Sequence, residues 1–114
     1  MASVYVNNLV INAGSDFNQS FSLEGSDNNS ALNLTNYSVQ SEMRKWAGSS
    51  TSVAFASTII SPQTLGKIVI SLGSTITQDL KPGRYVYDVL ITDDQGVKSR
   101  VVEGMVLVRE GVTR

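Results

Sequence analysis

The sequence predicts an all-β protein, an antiparallel β-sandwich of about seven strands. Three observations carry that expectation. Short runs alternate apolar and polar residues with a period of two, as in FNQSFSLEG, where Phe17, Phe21 and Leu23 share one face. Clusters of Gly, Ser, Asn and Asp interrupt these runs at short intervals. Helix signals are weak throughout, while Ser, Thr, Val and Ile are abundant. With 114 residues and no internal repeat or linker, residues 1–114 read as one domain.

Val4 to Ile11 reads as the first strand. Val4 and Val6 share one face, Leu9 and Ile11 share one face, and Asn7-Asn8 between them marks a bulge or bend. The strand of Phe17, Phe21 and Leu23 follows, with Asn18, Ser20, Ser22 and Glu24 on its wet side. GSDNNS, Gly25 to Ser30, is a loop. Leu32 and Leu34 lead into a strand in which Tyr37, Val39, Ser41 and Met43 alternate with Ser38, Gln40, Glu42 and Arg44. Ala47 to Ser52 is the next loop, and VAFASTII, Val53 to Ile60, the next strand. SPQTLG is a turn, and KIVISLG places Ile68, Ile70 and Leu72 on one face. Ser74 to Leu80 has room for a single helical turn.

LKPGRYVYDVLITDDQG, Leu80 to Gly96, is the most strongly patterned stretch. Tyr85, Tyr87, Val89 and Ile91 face one way; Arg84, Val86, Asp88, Leu90 and Thr92 face the other. Leu80, Pro82, Gly83 and Tyr85 have the spacing of a tyrosine corner, in which a phenolic OH caps backbone groups at the entrance to a late strand. Asp93 to Gly96 fits a tight hairpin, with Gly96 free to take positive φ. The return strand runs from Val97 to Arg109. Its core side is the even-numbered set in its later half, and a bulge near Glu103-Gly104 would switch the register. Seven such runs suggest a sandwich of the immunoglobulin type, with a small barrel as the other possibility.

The chain contains neither histidine nor cysteine. Disulfides, thiolate metal sites, a cysteine nucleophile and the usual triads are therefore excluded. No serine sits in a Gly-flanked elbow. The expectation is a non-enzyme with no catalytic residue, no metal and no cofactor. Asp79, Asp93 and Asp94 lack the alternating oxygen ligands of a Ca²⁺ loop, and Asp93-Asp94 reads as a hairpin turn. Four Asn-x-Ser/Thr sites, at Asn18, Asn28, Asn33 and Asn36, read as chance matches. Nine basic against ten acidic residues give no electrostatic footprint for nucleic acid or anionic membrane. No segment approaches a membrane helix, and Met1 to Gly14 lacks the features of a signal peptide, so cytoplasmic synthesis is expected.

Candidate interface residues are Trp46, Arg44, Val86 and Leu90. Trp46, the sole tryptophan, reads either as core packing or as an interface anchor, because Trp and Arg are enriched at hot spots. Val86 and Leu90 are apolar residues on the outward side of a strand; they pack under a neighbouring element or mark a subunit contact. A carbohydrate-binding module would need exposed aromatics in a groove, with Trp46, Tyr5 and Tyr37 as candidates.

One ordered series of residues goes further. It comprises Leu34-Thr35-x-Tyr37, Met43-Arg44-Lys45, Gly66-Lys67-Ile68, Leu80-x-Pro82-Gly83-x-Tyr85-x-Tyr87-Asp88, Thr92-Asp93-x-x-Gly96 and Glu103-Gly104. This series resembles a small immunoglobulin-like domain of tailed bacteriophages, found at the N-terminus of baseplate upper proteins and in small stand-alone virion proteins. The match runs in order from Leu34 to the terminal Gly111-Val112-Thr113-Arg114, and the block from Pro82 to Gly104 is its specific part. Asn33 stands where the family has Asp, Asn36 where it has Gly, and the Gly48 to Pro62 region is rich in Ser and Thr. These departures fall in turns and loops, so they bear on partner specificity more than on fold. The resemblance brings no active site. It implies a virion location and a structural role in the tail or baseplate, the neck or the capsid. It also implies docking to other virion proteins and self-association into a homo-oligomer. A carbohydrate-binding or host-adhesion module of the particle is the alternative.

Overall fold

The alternating runs form two sheets whose apolar sides face each other. The computed structural model describes residues 5–24 and 31–112. Val4, the expected loop Gly25 to Ser30 (with its Asn28 site) and the terminal Thr113-Arg114 lie outside the described residues. The strands are β1 (Tyr5–Val6), β2 (Leu9–Asn12), β3 (Phe17–Ser22), β4 (Ser38–Arg44), β5 (Val53–Ala54), β6 (Ala56–Ile59), β7 (Lys67–Leu72), β8 (Gly83–Thr92) and β9 (Lys98–Arg109). The larger sheet runs β1-β9-β8-β4-β5, with β2 continuing along β9; the smaller runs β3-β7-β6. This is a β-sandwich of the immunoglobulin type, and two separate sheets replace the alternative of a closed barrel. The nine segments come from seven runs of sequence, because β1/β2 and β5/β6 are each one run interrupted.

Between the sheets lies one core. Phe17, Phe21, Ile68 and Ile70 enter it from the smaller sheet, and Met43, Tyr87, Val89, Val102 and Val106 from the larger. Burying each such side chain is worth about 1.5–3 kcal/mol relative to leaving it in water.

Three local features depart from the expected pattern. First, β1 and β2 pair with β9 in parallel, Tyr5 opposite Val102 and Leu9 opposite Val106, while the other ladders are antiparallel. Second, VAFASTII changes sheets at Phe55: β5 pairs with β4, and β6 pairs with β7. At the crossing the Phe55 amide donates to the Ser41 carbonyl (2.9 Å), and its ring lies 6.0 Å from Phe17 and 6.3 Å from Tyr87. Burying this one ring between the layers pins the crossing. Third, the bulge lies earlier than Glu103-Gly104. Val89 pairs with Val102 and Leu90 with Arg100, leaving Val101 as the extra residue. That insertion turns both Val101 and Val102 into the core, where each is fully buried.

Gly104 has a different task. A Cβ built on it would overlap the Asn7 carbonyl and lie 3.1 Å from Asn8 Oδ1. The chain between β1 and β2 therefore crosses directly over Gly104, and only a residue without a side chain allows that approach. Hydrogen bonds fix the crossing: Asn7 N donates to Glu103 O (3.0 Å), Met105 N to Asn8 Oδ1 (3.1 Å), and the Tyr87 hydroxyl to Asn7 O (2.6 Å).

Burial pushes the Tyr87 hydroxyl up from its ordinary value of 10.0 to about 12. Its folded pKa lies above the unfolded one, so the contribution to stability is complete below pH 10 and is lost as the pH rises toward 12. Tyr87→Phe is expected to flatten this alkaline limb relative to wild type. The check is urea unfolding at intervals from about pH 8 to about pH 11.5; parallel limbs would contradict it.

The residues leading into β8 behave as expected. A single helical turn, α1 (Ser74–Thr77), ties down the β2–β3 connection. The Thr77 hydroxyl donates to Ser15 O (2.8 Å) and accepts from Gly14 N (3.1 Å), and Ser74 N donates to Asp16 Oδ1 (2.7 Å). The tyrosine corner forms, with Tyr85 OH donating to Lys81 O (2.8 Å) and Leu80 packed against the core. At the other end of β8, Asp93 Oδ1 accepts from Gln95 N and Val97 N (2.9 Å each), and Gly96 takes φ +84°. Asn36 has φ +65°, a left-handed turn conformation that both Asn and Gly adopt.

Candidate docking face

The outward side of the larger sheet gathers all four residues singled out as candidate interface: Arg44, Trp46, Val86 and Leu90 line one open hollow of about 710 Å³. The strand register explains why. Val86 of β8 sits opposite Arg44 of β4 on one side and Met105 of β9 on the other. Leu90 lies two outward positions further on, opposite Arg100. Among the described residues no third layer covers this side, since the smaller sheet occupies the inner side.

Trp46 is not core. β4 ends at Arg44, so the tryptophan is carried past the last ladder pair and stands 63% exposed. A turn from Trp46 to Ser49 follows it, closed by Ser49 N donating to Trp46 O (2.9 Å). Arg44 braces that turn by donating from Nη1 to Ser49 O (2.6 Å), while its Nη2 pairs with Glu42 Oε1 (3.1 Å). Lys45 folds the other way, its Nζ 4.7 Å over the Tyr85 ring. Trp46 is the only exposed aromatic among the described residues, and its neighbours hold the segment that carries it.

Sequence reasoning missed Val6 and Met105. They are 77% and 47% exposed and line the same hollow. Met105 was legible as an apolar residue on the odd-numbered, outward side of β9. Val6 became a member only through the parallel placement of β1 beside β9. The result is an apolar stripe, Val6, Met105, Val86 and Trp46, running across the strands.

The charges beside the stripe are organised. Glu42, Asp88 and Glu103 stand opposite one another on β4, β8 and β9. Arg44 pairs with Glu42, and Arg100 Nε pairs with Asp88 Oδ2 at 3.3 Å. Exposed pairs of this kind add little to stability. They hold long side chains beside the apolar stripe and leave its centre uncluttered.

Tyr5 and Tyr37 pack against the core, so the three aromatics considered for a carbohydrate groove do not assemble. Asp79 precedes β8 and Asp93 follows it, which separates them by about 30 Å of extended strand. Asp93 is engaged with its own turn. Among the described residues no three acidic side chains converge as a metal site, and no helix is long and apolar enough to cross a membrane. The chemistry this surface offers is burial of apolar area beside ordered charges.

No protein-family model and no curated protein matches the chain. Among solved structures, the fold is similar to the SrpA adhesin of Streptococcus sanguinis, with a TM-score of 0.52 and 8% identity. The alignment covers 96% of this chain and 57% of the adhesin chain. An internalin-like protein of Listeria monocytogenes aligns more loosely, with a TM-score of 0.45 and 14% identity over 95% of this chain and 28% of that one. The chain thus spans little more than half the length of the first. At that identity the likeness is one of β-sandwich fold.

Proposed function

We propose that this chain is a non-enzymatic structural protein of a tailed-bacteriophage particle, which docks to virion proteins, its own copies included, through the outer side of its larger sheet. The uncovered stripe of Val6, Met105, Val86 and Trp46 is the observation that carries the docking role. The bacteriophage setting is supported by the sequence resemblance. The residues of that motif fall on the corner, the hairpin and the glycine crossing that keep this sheet in shape. Host adhesion by carbohydrate binding is the second reading, favoured by the single exposed tryptophan at the rim of the hollow.

Particle incorporation tests the proposal. Trp46→Ala and Met105→Lys alter exposed positions, so each is expected to shift stability by no more than about 0.5 kcal/mol. In particles assembled with each variant in place of wild type, mass spectrometry is expected to show incorporation reduced at least about tenfold, as for loss of a hot-spot residue. Wild-type levels of either variant in the particle, or absence of the wild-type chain from purified particles, would overturn the proposal. Glycan-array binding that disappears with Trp46→Ala would favour adhesion instead.

A further inference from the structure

We infer that the occupant of the docking face is a second copy of the same chain, packed face to face about a two-fold axis that crosses the strands at the Val86–Met105 row. This inference rests on the docking role proposed above. Its warrant is the order of charges along the strands.

The outward rows of the sheet follow from the register. On one side of the Val86–Met105 row lie Val10, Leu107 and Arg84, mutually opposite on β2, β9 and β8. On the other side lie Val6, Glu103 and Asp88, opposite on β1, β9 and β8. Each row is two residues, about 7 Å, from the centre. A two-fold axis running across the strands exchanges these rows. Arg84 of each copy then faces Asp88 of the other, Leu107 faces Glu103, which lies one strand to the side of Arg84, and Val10 faces Val6. Val86 and Met105 meet their own equivalents in the middle.

Among the described residues Arg84 has no ion-pair partner, and it gains one in the pair. Arg44 meets its equivalent at the rim, where Glu42 and Ser49 O already engage it. An axis running along the strands would instead stack Glu42, Asp88 and Glu103 on one another. Like charges juxtaposed across an interface work against that arrangement.

Five strands about 4.8 Å apart and three outward rows about 7 Å apart span about 500 Å² on each copy. The total of about 1,000 Å² sits at the lower bound of a specific interface. A concentration-dependent dimer follows, rather than a permanent one.

Sedimentation equilibrium from about 1 μM to about 1 mM reads the association directly. Wild type is expected to move from monomer to dimer across this range. Arg84→Glu places like charges face to face twice in its own dimer, and so does Asp88→Arg; each variant is expected to weaken association at least about tenfold. A one-to-one mixture of the two restores opposite charges at both contacts and is expected to dimerise as wild type does, with circular dichroism confirming that both variants fold. A wild-type chain that stays monomeric throughout, single variants that dimerise undiminished, or a mixture without rescue would each overturn the inference. If wild type is monomeric while Trp46→Ala and Met105→Lys are still excluded from particles, the docking role stands and the second copy is wrong. If those variants also enter particles normally, both fall.

Discussion

Gly104→Ala is expected to destabilise the fold by about 3 kcal/mol. The added methyl group overlaps the Asn7 carbonyl, which is backbone and cannot swing aside as a side chain would. Either β9 distorts or the crossing between β1 and β2 lifts. Lifting it breaks the bonds Asn7 N to Glu103 O, Met105 N to Asn8 Oδ1, and Tyr87 OH to Asn7 O. The last of these leaves a buried hydroxyl without its acceptor, which costs more than the bond itself contributes. Urea unfolding checks the magnitude, and hydrogen exchange checks the place: protection should fall first at β1 and β2. A loss below about 0.5 kcal/mol would mean that the crossing has room to relax. The same substitution moves Val6 off the docking face, so a folded G104A protein should also dock poorly.

Ile70→Ala is expected to cost about 2–5 kcal/mol, with no effect on the docking face. Ile70 is fully buried on β7, the central strand of the smaller sheet, opposite Gln19 and Ser57. Removing most of its side chain leaves a cavity that β3 and β6, held by ladders on either side, cannot close. The midpoint of urea unfolding should fall while the slope stays constant. Under conditions where the variant remains folded, association and particle incorporation should match wild type. That outcome would separate the two sides of the sandwich, with Ile70 carrying stability and Trp46 the proposed docking.

Much of this architecture could be read from the residues. Period-two alternation located the core faces of β3, β4, β7 and β8, because each of these strands has one dry side and one wet side. Short-range chemistry located the corner at Tyr85 and the hairpin at Asp93, since their partners lie within a few residues. What escaped detection depends on which strand lies beside which. Alternation is the same for parallel and antiparallel pairing, so the direction of β1 and β2 against β9 was invisible. The break at Phe55 was hidden because a strand changing sheets keeps its apolar residues. The glycine before Met105 looked like a bulge, although its cause is a distant backbone segment passing over it.

The docking face shows the same division. Val86 and Leu90 announced themselves as apolar residues on a side that should be wet. Trp46 could be core or rim until the end of β4 was known, and Val6 joined the stripe only through a neighbour nearly a hundred positions away in the chain.

A cryo-electron microscopy reconstruction of the bacteriophage particle proposed to carry this protein tests the docking face most directly. Protein density is expected over Val6, Val86, Met105 and Trp46, with the outer side of the larger sheet closed off from solvent. Copies held in the particle by other surfaces, with this side open to solvent, would contradict it.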